Sequence, residues 1–462
     1  MKNTLDVVTA YDRKLIAEIP TDSFDTLEAK LNTAAATLQN REGWLQPYER
    51  MAILKGAAQL LAAEQEKFIK LITQEGGKPH SDAAVEVTRA IDGLNDAAEE
   101  LRQFSGREIP MGLSPASAHR WAFTIKEPIG VVAAISAFNH PLNLIVHQIA
   151  PAIAVGCPVI IKPASATPLS CLELVKFLRK AGLPECWCQT LITKETKLAE
   201  LLASDERIAF LSFIGSAKVG WHLRSKLAPG TRCALEHGGV APVIVDRSAD
   251  LAKVVNSLVK GGYYHAGQVC VSVQRIFVHK DIRVGFMDEF VKRVKALRVG
   301  DPELPETEVG PLIHPRETER VLTWIDEALA AGAELFGGGR LTETTLIPGI
   351  LLNPAADAKV SKMEVFGPLT CVYDYDNLDK AIRIANSLPF AFQASVFSED
   401  ISIALKAAEY LTASAVLIND HTAFRTDWMP FAGLKQSGYG IGGIPWTMKE
   451  MSQDKMIILK KN

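Results

Sequence analysis

The sequence predicts an α/β protein, most economically two α/β domains with small extensions. Three observations predict it. From about residue 130 onward, short buried strands alternate with helical stretches, the pattern of a parallel sheet with helices on both faces. Hydrophobic residues make up 48% of the chain and charged residues 22%, which supplies an ample core and excludes a disordered or fibrous chain. A length of 462 residues suits a large two-domain enzyme.

The first hundred residues read as helical. Between Glu49 and Gln74 the apolar residues Met51, Leu54, Ala58 and Leu61 recur at helical spacing, and Gly76, Gly77 and Pro79 end the pattern. Ala83–Phe104 gives a second amphipathic helix. The stretch from His119 to Lys126 partly alternates, as an exposed or edge strand does. Buried strands follow at Gly130–Ile135, Val159–Ile161, Ala209–Phe213 and Pro242–Val245, separated by helices at Leu142–Val155, Leu169–Lys180 and Ala217–Lys226. A second series runs through strand Arg275–His279, helices Val284–Leu297 and Glu317–Ala331, strand Leu369–Tyr373 and helix Leu378–Asn386. No internal repeat or low-complexity segment interrupts it.

Pro128–Ile161 holds no Asp, Glu, Lys or Arg, yet its longest clean run, Ile149–Ile161, contains two prolines and falls short of the ~20 residues of a spanning helix. It reads as a buried strand–helix–strand. The first twenty residues show no targeting signal. Seven cysteines, an odd number without metal-ligand spacing, fit a reducing compartment, so a cytoplasmic location is expected. A net charge of −3 gives no electrostatic case for nucleic acid or a membrane surface as partner.

Four short motifs carry chemistry. A Gly-x-Gly-x-x-Gly turn between strand and helix is absent, and the glycine-rich Gly438–Gly443 follows no predicted strand and reads as a flexible loop. Phe213-Ile-Gly-Ser216 instead leaves a strand for a helix: Gly215 allows close backbone approach, Ser216 suits an N-cap, and a helix N-terminus favours phosphate. Cys270, in Gly267-Gln-Val-Cys, is a loop cysteine beside small residues; it is a nucleophile where something favours the thiolate and an inert buried thiol otherwise. Glu236, in Leu235-Glu-His-Gly-Gly239, follows a buried strand and is either a general base or a capping carboxylate. Asn139, in Phe138-Asn-His-Pro141, ends a buried strand, and its amide is a turn former or an oxyanion donor.

In their order and spacing these motifs resemble the aldehyde dehydrogenase superfamily over nearly the whole chain. The matching blocks are Glu127-Pro-Ile-Gly-Val131, Ala137-Phe-Asn-His-Pro141, Lys162-Pro-Ala-Ser165, Phe213-Ile-Gly-Ser216, Leu235-Glu-His-Gly-Gly239, Gly267-Gln-Val-Cys270, Glu364-Val-Phe-Gly-Pro368 and Pro430-Phe-Ala-Gly-Leu-Lys435. The phrases around Cys270 and Phe424–Pro430 look most like the lactaldehyde dehydrogenase-like branch. Some positions depart from the pattern. Ser165 stands where a ribose-contacting glutamate is frequent, and Leu191–Thr196 replaces a glycine-rich loop. Phe138 stands for a frequent tryptophan, His237 for leucine and Ala432 for glycine.

The resemblance implies NAD(P)+-dependent oxidation of an aldehyde to a carboxylate, with Cys270 as nucleophile, Asn139 as oxyanion donor and Glu236 as the base that releases the thioester. It implies NAD or NADP contacts from Ser136, Ala137, Phe138, Lys162, Ala164, Ser165, Gly215, Ser216, Val219, Glu364 and Phe366. Ser165 in place of a charge makes NADP acceptable. Asn143 and His147 are four apart and share a helix face, which the resemblance places along the substrate tunnel together with Arg425 and Phe431. Polar lining and a guanidinium suit a small anionic or hydroxylated aldehyde. The layout that the resemblance implies is a doubly wound dinucleotide-binding domain at 1–108 and 129–237, an α/β catalytic domain at 238–440, and a small oligomerisation arm and tail at 109–128 and 441–462. Arm and tail read as strands without a partner in their own domain, so a homodimer or homotetramer that exchanges them is expected. Alternatives remain: a CoA-acylating dehydrogenase of the same fold, which Glu236 argues against; a retired enzyme acting as a binding protein, which Cys270, Asn139 and Glu236 together disfavour; and a cysteine hydrolase, for which neither His237 nor His265 is singled out as partner. No metal site is expected.

Overall fold

Val131–Ile135 is the strand around which the first sheet is organised, and its neighbours explain why it is wholly apolar. In the computed structural model, which describes residues 4–461, Val132 and Ala134 face one core and Val131, Ala133 and Ile135 face another. The first core is formed with helices Pro47–Ala63, Gln65–Gly76, His80–Glu100, Asn143–Val155 and Leu169–Lys180; the second with Phe24–Gln39 and Thr196–Ser204. A strand covered on both faces needs apolar residues at every position. The helix Asn143–Val155 is buried along its entire length, which accounts for the uncharged run: each buried Leu or Ile there contributes roughly 1.5–3 kcal/mol. No helix among the described residues is long and apolar enough to cross a membrane.

The first sheet has the order Gly438–Tyr439, Arg232–Glu236, Ile208–Ile214, Val131–Ile135, Val159–Lys162, Cys188–Thr190, parallel except for its first pair. Chain order reverses at Val131–Ile135, which opens a crevice at the carboxyl ends of the strands. Asn139, Gly215 and Glu236 lie at or just beyond those ends. The second sheet runs Glu334–Gly337, Gly349–Leu352, Leu369–Tyr375, Arg275–His279, Pro242–Val245, Gln393–Phe397, Ala415–Ile418, again parallel except for its first pair.

Four expectations need correcting. The N-terminal segment is not helical throughout: Thr4–Val8 and Leu15–Pro20 form a hairpin that buries Leu5 and Val7 against Ile192. The helical pattern of Glu49–Gln74 breaks at Glu64 into two helices. The arm and tail strands pair with each other: Ser452–Lys460 runs antiparallel to Arg120–Pro128, with Glu108–Ile109 on the outer side. Gly438–Gly443 is no free loop either, because Gly438 and Tyr439 pair with Glu236 and Leu235.

Candidate active site

Cys270 follows a turn that only strong local constraints can hold. His265, Ala266 and Gly267 are consecutively left-handed, at φ 46°, 53° and 71°, and each non-glycine residue there costs on the order of 1 kcal/mol. Gly267 must be glycine, since a Cβ would lie 2.2 Å from the Gly367 carbonyl oxygen. Gln268 fixes the turn from its buried side chain: Oε1 accepts from the Ile313 N–H at 3.0 Å, and Nε2 donates to the Pro311 carbonyl at 3.2 Å. Its own carbonyl accepts from Asn139 Nδ2 at 2.9 Å. An amide nitrogen carries two hydrogens, so Asn139 is oriented by one and keeps the other for a ligand.

Two carboxyl groups share the neighbourhood of Cys270, and both occupy space that glycine provides. Glu236 is the last residue of its strand, and a Cβ on Gly442 would sit 2.0 Å from its Oε1. A Cβ on Gly238 would sit 1.8 Å from Glu364 Oε1. Burial raises Glu236, opposed by the Arg425 cation, and pushes Glu364 up to about 8. The Cys270 thiol is pushed up to about 12, mainly by burial, with the Glu364 and Glu236 carboxylates adding to the rise and Arg425 countering it. A carboxyl raised by burial is a better base than a free one.

Arg425 brings a cation to this centre. Its guanidinium stacks on the buried Phe431 ring, 3.6 Å from the centroid, and Nη2 faces His147 Nδ1 at 3.3 Å. Among the described residues it makes no ion pair within 4 Å, and its Nε has no partner. The nearby carboxylate, Asp427, is taken by others. Its Oδ1 accepts from Arg89 Nη2 at 2.7 Å, Asn143 Nδ2 at 3.0 Å and His147 Nε2 at 2.6 Å, and its Oδ2 accepts from Arg89 Nε at 3.1 Å. Asn143 and His147, both 3% exposed, are therefore engaged inside the protein.

The family model of the aldehyde dehydrogenase family matches residues 1–457. The chain belongs to the aldehyde dehydrogenase family. It is 37% identical over 455 residues to the 3-sulfolactaldehyde dehydrogenase of Priestia aryabhattai, covering 98% of this chain and 94% of that one. Aldehyde dehydrogenase 21 of Physcomitrella patens, solved with its reaction product succinate, superposes with a TM-score of 0.96 at 34% identity, covering 99% of this chain and 95% of that one. The glyceraldehyde-3-phosphate dehydrogenase of Methanocaldococcus jannaschii, solved with NADP, gives 0.94 at 36% identity, covering 99% of each chain.

In this aldehyde dehydrogenase the residues expected at the dinucleotide fit such a group. Ser136 Oγ is buried without a partner, and so is Glu364 Oε1. Among the described residues Lys162 Nζ has only the Pro163 carbonyl at 3.3 Å, and burial lowers its pKa. Ser216 caps the helix Ala217–Arg224 by position but makes no side-chain capping bond, so its hydroxyl is available. Val219, 40% exposed, stands on the same short helix. Phe138 and Phe366 meet edge to face, with centroids 5.8 Å apart, and Phe366 is held at φ 46°. Phe138, Ala164 and Ser165 line a cleft of about 420 Å³, and Ser165 Oγ donates to the Thr193 carbonyl at 2.9 Å. Ala137 is half-buried between Ser136 and Phe138.

Sequence reasoning missed Arg89, Asp427 and Gln268, and also Arg13, His314 and Arg316, which line the same cleft as Ser165. Gln268 stood in the Gly267–Cys270 motif, and its polarity within a buried segment was the available signal; Asp427 stood in the Phe424–Pro430 phrase, a partly exposed loop that offers no such signal. Arg89 lies on a long amphipathic helix and had none. No cluster of three His, Cys, Asp or Glu side chains able to hold a metal occurs among the described residues.

Proposed function

We propose that this chain oxidises a small aldehyde bearing an anionic group to the carboxylate, using NADP+ or NAD+ and a thioester on Cys270. The observation that carries the substrate half is Arg425: a guanidinium beside Cys270 and Glu236 with no carboxylate of its own. Sulfolactaldehyde, the substrate named for the Priestia relative, and succinate, the product held by the Physcomitrella enzyme, both carry an anion remote from the reacting carbon. A guanidinium recognises sulfonate, carboxylate or phosphate through paired N–H donors.

Cys270 gives up its thiol proton to solvent and its Sγ attacks the carbonyl carbon as the C=O π pair moves onto oxygen, giving a thiohemiacetal whose oxyanion the free Asn139 N–H and the Cys270 backbone N–H bind. At rest the thiol is protonated, and Arg425 is the cation that stabilises its thiolate. Bound NAD(P)+ supplies the acceptor for the hydride lost from the reacting carbon. Glu236 then takes a proton from water as the water oxygen adds to the thioester carbonyl. The C–S bond breaks, the carboxylate leaves and Cys270 regains its proton. Glu364 and Phe366 orient the cofactor, and Lys162, Ala164, Ser165, Gly215, Ser216 and Val219 hold its adenosine and phosphate side.

A division into a cofactor part (1–108, 129–237), a catalytic part (238–440) and an arm with tail (109–128, 441–462) is supported by the separate six-, seven- and three-stranded sheets, with Gly438–Tyr439 of the catalytic part adding the edge strand of the six-stranded one. The arm sheet carries half-exposed Trp121, Phe123, Ile125 and Leu459, apolar surface that supports assembly as a homodimer or a dimer of dimers. Seven free thiols, five of them buried, support a reducing, cytoplasmic setting.

The deciding experiment follows NAD(P)H absorbance with succinic semialdehyde, lactaldehyde, propanal and benzaldehyde, with and without CoA. Turnover with the acidic aldehyde, independent of CoA, is expected. A strict CoA requirement, or a preference for benzaldehyde, would contradict the proposal. Ser165→Glu should lower the NADP+/NAD+ preference about tenfold, since it returns a like charge beside a 2′-phosphate; an unchanged ratio would make Ser165 only a partner of Thr193.

A further inference from the structure

Asp427, His147 and Arg425 form a chain whose proton positions are dictated by chemistry at both ends. Asp427 is 3% exposed; burial opposes its ionisation, but the bonds from His147 and Arg89 outweigh that and hold its carboxyl well below the usual range. An ionised carboxylate only accepts, so His147 Nε2 carries the hydrogen. At the other end a guanidinium only donates, so His147 Nδ1, 3.3 Å from Arg425 Nη2, must present a bare lone pair. Neutral imidazole, hydrogen on Nε2, is the one form that satisfies both neighbours. An imidazolium would set donor against donor at Arg425. Burial and the Arg425 charge agree with this, pushing His147 down to about 4.

The arrangement has a consequence for charge. Arg89 binds Asp427 through two nitrogens and neutralises it. Arg425 is held instead by a neutral acceptor, which fixes its plane against Phe431 and leaves its charge uncompensated. Direct pairing of Arg425 with Asp427 would have fixed the guanidinium equally well and quenched it. Arg425 and Asp427 are two residues apart on one loop, so without an intermediary they are natural partners; His147, entering from the helix Asn143–Val155, stands between them.

We propose that His147 is a positioning residue for substrate selection: as a neutral relay between Asp427 and Arg425 it orients the guanidinium for the anionic group of the aldehyde while preserving its charge. This rests on the reading of Arg425 as the anion contact, and the test separates the two. The KM for succinic semialdehyde and for propanal is measured in wild type, Arg425→Leu, His147→Leu and His147→Gln. A glutamine amide offers one donor and one acceptor, as neutral imidazole does. His147→Leu should raise the KM for succinic semialdehyde about tenfold more than that for propanal, and His147→Gln should return most of that selectivity. Equal shifts of both KM values in His147→Leu, or no recovery in His147→Gln, would overturn the relay while a selective effect of Arg425→Leu left the anion reading standing. No selective effect of Arg425→Leu would overturn both. A second measurement does not depend on how the leucine variant folds. In wild-type protein labelled with ¹⁵N-histidine at pH 7, the resonances lost in His147→Gln should report a protonated Nε2 and a bare Nδ1. A hydrogen on Nδ1 would overturn the proposal.

Discussion

The two ends of the active site treat charge in opposite ways. Around Cys270 the ionisable groups are raised by burial: Glu364, whose Oε1 is unpaired, is pushed up to about 8, Glu236 is raised, and the thiol is pushed up to about 12. Around Asp427 both carboxylate oxygens are engaged, Oδ1 by three donors and Oδ2 by one, and its pKa is held down. The first end is made of glycines that leave room for acids, the second of side chains whose donors converge on one carboxylate. The groups proposed to gain and lose protons sit in low dielectric, whereas the carboxylate that keeps a fixed charge is held by four hydrogen bonds. Arg425 belongs to both ends, since it touches the network through His147 and acts on Cys270 and Glu236 by its charge.

The comparison can be broken from the reactive end with the largest effect. Asn139→Ala removes the oxyanion donor and should lower kcat about 100–1000-fold, with little change in the rate at which iodoacetamide alkylates Cys270. An equal loss in alkylation would mean that Asn139 only shapes the Gln268 turn. Next in size, Arg425→Leu should raise the KM for succinic semialdehyde on the order of 100-fold, the worth of a charge-assisted pair, and should slow Cys270 alkylation at a given pH, because the cation that stabilises the thiolate is gone. Faster alkylation would contradict the sign of that interaction.

The smallest effect sharpens the recognition end. His147, faced by Asp427, Arg425 and Arg89, is held near 4 in the folded protein against about 6.5 when unfolded. Between those values the unfolded chain binds a proton that the folded one does not, so the contribution of His147 to stability is present at pH 7.5 and declines as pH falls. The stability gap between wild type and His147→Gln should therefore shrink by about 2 kcal/mol from pH 7.5 to about pH 5, read as converging Tm values. A gap that stays constant would place the proton on His147 in both states.

Much of the reactive end was legible in the sequence. Glu236 ends a strand, Asn139 lies just beyond one, and Cys270 follows the turn after the helix Leu251–Tyr263, all beside glycine or proline, and such turns leave a local signature. The buried helix Asn143–Val155 was legible too, because thirteen successive buried residues exclude charge. The Asp427 network was not. Its members come from positions 89, 143, 147 and 427, on two helices and a loop, and only folding brings them together. For the same reason His147 read as a group lining the tunnel, whereas its side chain is turned onto Asp427. Short strands such as Cys188–Thr190 and Gly438–Tyr439 span too few residues for a period to register, so the anchoring of the glycine-rich segment to the Glu236 strand could not be seen.

The central claim is that making the thioester and releasing it belong to different residues, Cys270 and Glu236. Rapid-mixing kinetics of Glu236→Gln tests it most directly. Removing that carboxylate also removes one of the influences that raise the Cys270 thiol, so the first turnover should proceed. The account predicts a burst of one NAD(P)H per active site followed by a stall, with the acyl group recovered on Cys270 by mass spectrometry. Sustained turnover at the wild-type rate, or no burst at all, would contradict it.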